Sequence, residues 1–289
     1  MLIKKIKGYL KLLRVHHYLK NVIILLPLVC AHLIADWNAW QVAIPGFFAF
    51  CLLSSAIYVI NDLKDRNKDK NHPKKCHRPL ASGVVSVPEA IVLIVILIAG
   101  AAALNFLTHS SYLSWIVLGV YLLLNIGYSF GLKRIPIVDV VILASGYFIR
   151  AYYGAIVVDV VISNWMYLTV IMFSFFLGLG KRRNEIKQCS ENETRDVLKY
   201  YNYTFLDKFM YICLGLAVVF YSLWCVDPQT ANDRLIWTIP FVIALAMKYS
   251  LDIEKGDSDG DPIEVVMHDY ILLAGGALFA VGFMLVLYL

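Results

Sequence analysis

The sequence predicts an all-α polytopic membrane protein with nine transmembrane helices. Three observations carry the prediction. Of 289 residues, 60% are hydrophobic and only 16% are charged, too little polar surface to cover one soluble core of this size. Nine apolar runs approach the roughly 20 residues that cross a bilayer as a helix. The basic residues fall in alternate connections, as the positive-inside rule requires.

The runs are 20–36, 41–60, 88–107, 112–130, 136–157, 162–180, 206–226, 234–251 and 268–288. Before the first, MLIKKIKGYLKLLRVHHYLK reads as an amphipathic interfacial segment over 1–19. No small-residue cleavage site follows it, so a cleavable signal peptide is not expected. Cations cluster before run 1 and after runs 2, 4, 6 and 8, whereas DWNAWQ, THSSY, VVDVVISN and DPQTANDR hold one Arg between them. The N-terminus is therefore expected in the cytoplasm of a cell-membrane protein and the C-terminus outside, which requires an odd number of spans. The whole chain, 1–289, reads as one transmembrane catalytic domain. Its longest polar connections, 61–87, 181–205 and 252–267, all face the cytoplasm, so a site for a charged, water-soluble substrate belongs there. The six cysteines show no CxxC pairing and read as small core residues.

The stretch NDLKDRNKDKNHPKKCHRPLASG, residues 61–83, carries the strongest chemistry. If the second helix continues to residue 69, Asp62, Asp65 and Asp69 share one face at i, i+3 and i+7. Three such carboxylates repel one another unless a divalent cation neutralises them. Oxygen ligands suit Mg²⁺, which is usually shared with substrate phosphates. The alternative is a solvated loop of mixed charge. Lys74, Lys75, His77 and Arg78 follow between Pro73 and Pro79, where a cation meets phosphate oxygens or simply sets topology.

Other candidates lie further along. In GLGKRRNEIKQ, Lys181 and Glu185 are spaced i,i+4, which fits either a site or a helix-end ion pair. YSFGLKRIPIVD contributes Tyr128, Lys133 and Asp139. Asp139 inside an apolar helix requires a partner, and Arg150 lies deeper in the same helix. In LRVHHYLKN, Arg14, Lys20 and Asn21 either grip a lipid phosphate or snorkel to headgroups. The acids Asp257, Asp259 and Asp261 lack the closing Glu of a calcium loop and read as a mobile connection.

N-D-x-x-D-x-x-x-D after the second helix, here Asn61, Asp62, Asp65 and Asp69, resembles the UbiA superfamily of intramembrane prenyltransferases. That resemblance implies a UbiA-like bundle, a Mg²⁺ cofactor held by Asp62, Asp65 and Asp69, and an active site at the cytoplasmic face. The superfamily carries a second Asp-rich motif after helix 6, where this chain has Lys181, Arg182 and Glu185. GKR followed by Glu, HPxKxxRPLASG at 72–83, YSFGLK and R…HxYLKN together resemble one subgroup, the decaprenyl-phosphate phosphoribosyltransferases. This implies transfer of 5-phosphoribosyl from phosphoribosyl diphosphate to a polyprenyl (decaprenyl) phosphate, releasing pyrophosphate, for arabinofuranose donor and cell-wall arabinan synthesis. It implies Asn61, Tyr128, Lys133, Asp139, Arg78 and Arg182 around the donor, Lys181 and Glu185 in catalysis, and Arg14, Lys20 and Asn21 on the lipid phosphate. The alternatives are a prenyltransferase moving a prenyl diphosphate onto an aromatic or glycerol-phosphate acceptor, and a transporter with a cytoplasmic cation site. No nucleic acid is expected as a partner, and the sequence leaves a homo-oligomer open.

Overall fold

A computed structural model describes residues 2–72, 75–188, 196–228, 233–255 and 262–288. Pro73, Lys74, Asp257, Asp259 and Asp261, singled out above, and Cys189, one of the six cysteines, lie outside the described residues.

The described chain is helical throughout, without strands. In order come α1 (Leu2–Leu13), a 3-10 segment (Val15–Leu25), α2 (Leu26–Cys30), α3 (Trp37–Lys70), α4 (Val87–Leu107), α5 (Tyr112–Phe130) and α6 (Val138–Val157). Then follow α7 (Asn164–Gln188), α8 (Tyr203–Cys225), α9 (Ile239–Lys255), α10 (Pro262–His268) and α11 (Tyr270–Tyr288). Local signals set several starts. Asp36 caps α3 by accepting from the Asn38 N–H at 2.9 Å. Ser86 and Glu89 form a reciprocal capping box at α4. Asn202 caps α8 through the Thr204 N–H at 2.7 Å.

Among the described residues, eight helical stretches are long and apolar enough to cross a membrane. They present large apolar side chains outward, such as Val92, Val95 and Ile96 on α4. Only a hydrocarbon surround makes that favourable. The protein is a multi-pass membrane protein. The sixth apolar run, 162–180, forms α7 but is not among the eight stretches. Ahead of Lys181 this helix offers only residues 164–180, and these open on the polar Asn164. The first of the eight stretches runs Lys5–Cys30 where the sequence suggested 20–36.

The chain divides into two compact units. The first comprises Met1–Leu28, Ile34–Gly131 and Arg150–Val160. Here α4 and α5 pack along α3, and a core of Leu12, Ala56, Val59, Leu80, Val85, Ala90 and Leu97 joins α1, α3 and α4. Leu12 draws one face of the N-terminal amphipathic segment into that core. Lys5 fixes the same helix to α4 through Glu89 at 2.6 Å. The second unit comprises Val29–Leu33, Leu132–Ile149 and Val161–Leu289. Its α7 and α8 pair along their length, over a core that includes Phe176, Leu179, Leu206, Met210, Tyr249 and Ile253. The 252–267 connection is partly helical: α9 runs to Lys255 and α10 begins at Pro262.

Candidate active site

In the first unit, α3 continues unbroken for 34 residues and carries the acidic motif on its last three turns. Asp62 and Asp69 are 3% and 5% exposed; Asp65 is half-buried on the same helix. Buried carboxylates need cations, and two arginines supply them. Arg14 Nη2 donates to Asp62 Oδ1 at 2.6 Å. Arg78 Nη1 donates to Asp62 Oδ1 at 3.0 Å and to Asp69 Oδ2 at 2.9 Å. One nitrogen therefore occupies the point on which both acids converge.

That geometry allows a test of the metal expectation. Among the described residues, no group of three His, Cys, Asp or Glu side chains encloses a metal by itself. Two hard oxygen donors converging on one cationic position fit an ion that takes its remaining ligands from water and substrate phosphates, as Mg²⁺ does. The residues fit such an ion, provided Arg78 moves aside.

The surroundings fix this acidic face. Arg14 sits in the left-handed region (φ 50°) between α1 and the 3-10 segment, and its guanidinium lies 4.9 Å from the Tyr58 ring centroid. The Ser55 hydroxyl donates to the Leu13 carbonyl at 2.8 Å, tying the end of α1 to α3. The Asn61 side-chain Oδ1 accepts from the Ser129 hydroxyl at 3.2 Å, and Lys64 covers the Phe130 ring at 3.4 Å. Both contacts pin the end of α5, where the half-buried Tyr128 lies, to the motif. Lys20 is half-buried. Asn21 is placed inside the unit: its amide donates to Cys51 Sγ (3.2 Å) and Ser54 Oγ (3.3 Å) and accepts from Arg150 Nε (2.7 Å). Its amide is engaged at both ends within the protein.

The second unit holds a different cluster. Asp139 and Arg182 are both 0% exposed, and Arg182 Nε donates to Asp139 Oδ2 at 2.6 Å. Arg182 Nη1 donates to Glu185 Oε2, also at 2.6 Å. The Tyr201 hydroxyl donates to the other Asp139 oxygen and accepts the Ile137 N–H at 2.6 Å. Burial, reinforced by that bond to Asp139, pushes the Tyr201 phenol up to about 12. Ile137 has φ 68°, a conformation that costs a β-branched residue about 1–3 kcal/mol. The strained turn directs its N–H to Tyr201. Lys181 and Lys133 are half-buried.

Several charged residues escaped the sequence reading. Arg183 is buried and pairs with Asp207 (Nε–Oδ1 2.8 Å), Glu254 and Tyr203. Successive helical residues point about 100° apart, so Arg182 and Arg183 serve different partners. That periodicity, applied to the KRR triplet, was the available signal. Lys248 joins Asp252 at 2.6 Å and also Asp269. Lys248 holds the Asp269 carboxyl down at about 2. Tyr201 had no signal, because its partner lies 62 residues away.

The description "UbiA prenyltransferase family" matches residues 24–249. The chain belongs to this family. Within it, the chain is 36% identical over 276 residues to the decaprenyl-phosphate phosphoribosyltransferase of Corynebacterium glutamicum, covering 92% of this chain and 82% of that protein. It is 32% identical to the protein of the same name from Mycolicibacterium smegmatis, covering 92% and 88%. The UbiA fold is shared with a UbiA homolog from Archaeoglobus fulgidus bound to GPP and Mg²⁺, at a TM-score of 0.72, 18% identity and 98% and 100% coverage.

Proposed function

We propose that this chain transfers 5-phosphoribosyl from phosphoribosyl diphosphate to a polyprenyl (decaprenyl) phosphate, in a Mg²⁺-dependent reaction at the cytoplasmic face of the cell membrane. The carrying observation is similarity along 92% of the chain to phosphoribosyltransferases of that name. The convergence of Asp62 and Asp69 on one cationic point supports a diphosphate-bearing donor.

A phosphate oxygen of the lipid attacks the anomeric carbon, the bond to the diphosphate oxygen breaks, and its electron pair leaves with pyrophosphate. The nucleophile is already an anion, so positioning and leaving-group stabilisation dominate over base catalysis. Bound Mg²⁺ would neutralise charge developing on the diphosphate. Asp62, Asp65 and Asp69 would hold such an ion against the diphosphate end of the donor, with Asn61 assisting. Arg78, which holds the point between Asp62 and Asp69, would turn to phosphate oxygens when an ion takes that point, while Arg14 stays on Asp62. Lys181, half-buried at the helix end, binds a donor phosphate. Arg182 has its guanidinium engaged by two carboxylates and serves to hold Glu185 and Asp139 in place. Glu185 is the group for a ribose hydroxyl, and Tyr128 and Lys133 complete the donor contacts. Lys20 meets the lipid headgroup.

The departure from a second Asp-rich motif argues against the prenyl diphosphate alternative: a phosphorylated sugar diphosphate carries more anionic charge and needs cations at Lys181. The test combines purified protein with labelled phosphoribosyl diphosphate, decaprenyl phosphate and Mg²⁺. Labelled lipid is expected. Transfer from a prenyl diphosphate with no ribosylated lipid would sink the reading.

A further inference from the structure

The 3-10 segment Val15–Leu25 spans 11 residues, whereas such helices seldom exceed 3–4 residues because their hydrogen bonds are poor. Something outside the segment must hold it. Its inward side chains grip one face of α3 in antiparallel order. Arg14 reaches Asp62, Tyr18 meets Ser55 Oγ at 3.0 Å, and Asn21 meets Ser54 and Cys51.

Spacing explains the winding. From Arg14 to Asn21 is seven residue steps, roughly 14 Å at the 3-10 rise but only roughly 10.5 Å at the α rise. On α3, Asp62 lies eight steps from Ser54 and eleven from Cys51, roughly 12 and 16.5 Å at the α rise. The stretched rise falls between those two spans, whereas the α rise falls short of both.

α6 supplies the clamp. Arg150, 6% exposed, donates through Nε to Asn21 and through Nη2 to the Tyr121 hydroxyl at 2.8 Å. One turn on, Gly154 faces the same segment: a Cβ there would lie 2.0 Å from the Ile24 carbonyl oxygen. The two residues, at i and i+4, seat the segment by one strong polar contact and one close backbone approach.

We infer that Arg150 is a positioning residue, which holds the 3-10 segment stretched along α3 so that Arg14 stays on Asp62. Arg150 acts through Asn21. Its bearing on catalysis rests on the transfer activity proposed above; its structural effect does not.

The test uses full-length protein in detergent with Arg150→Gln and Gly154→Ala. Hydrogen exchange read by mass spectrometry is expected to speed about tenfold or more over 15–25 in both variants, with α4 and α5 unchanged. Turnover per folded molecule is then compared for Arg150→Gln, Arg14→Gln and the pair. Each single change is expected to lower kcat/KM, and the pair to fall within about twofold of Arg14→Gln alone, since residues acting as a unit are non-additive. Multiplying effects, wild-type kinetics in Arg150→Gln, or exchange raised evenly through α3, α4 and α5 would overturn the inference. Should Arg150→Gln not fold, Gly154→Ala replaces it in both measurements. Should wild-type protein transfer nothing, the activity reading fails and the exchange pattern alone decides the positioning role.

Discussion

Replacing Asp139 by Asn tests whether the buried pair organises the second unit. Both Asp139 and Arg182 are wholly buried, with Nε 2.6 Å from the carboxylate. Removing one partner of such a pair costs about 3–5 kcal/mol, because the other charge stays buried. Asn retains an oxygen for Tyr201, and Glu185 still neutralises part of the guanidinium charge. The lower end, about 3 kcal/mol, is therefore expected, or about two powers of ten in the folded-to-unfolded ratio. Unfolding in mixed micelles, followed by tryptophan fluorescence, measures it. The apolar pair Asp139→Leu with Arg182→Met removes both charges and is expected to be milder than Asp139→Asn. A double-mutant cycle on the two residues with a coupling below about 0.5 kcal/mol would refute the argument.

Three further outcomes are expected. Arg78→Gln removes the guanidinium that competes for Asp62 and Asp69, so divalent-ion affinity without diphosphate should rise about tenfold by calorimetry, while pyrophosphate affinity falls. Unchanged ion affinity would mean that Arg78 does not guard that position. Lys181→Ala should raise the apparent KM for the donor about tenfold and leave the lipid KM within about twofold; equal effects on both would assign Lys181 elsewhere. Tyr201 has a phenol raised from 10.0 to about 12, so its stabilisation is complete below pH 10 and disappears as pH rises towards 12. The slope of unfolding free energy over that window should flatten in Tyr201→Phe, and an unchanged slope would count against the Asp139 contact.

The acidic face of α3 was legible because its chemistry is local. N-D-x-x-D-x-x-x-D sits on one helix, and helical spacing alone puts the acids together. The expected Lys181–Glu185 alternative shows where local reasoning stops. Glu185 accepts from Arg182, three residues away, and Arg182 also reaches Asp139 across 43 residues of chain, a contact that no local spacing marks. The same limit applies to Arg14, expected at a lipid headgroup but held 48 residues away on Asp62.

From sequence alone came the membrane class, the UbiA resemblance and the acid motif, since each depends on composition or on spacing within one helix. Tertiary structure decided which cation answers each acid. An ion pair in a low-dielectric interior forms wherever packing brings the charges within about 4 Å, and no pattern in the chain records that distance. It also decided that Asn21 belongs to the interior, seated by Arg150 and made accessible by the missing Cβ of Gly154. A polar residue near a membrane surface reads the same in sequence whether it meets a headgroup or a buried guanidinium; only the packing of α6 tells them apart.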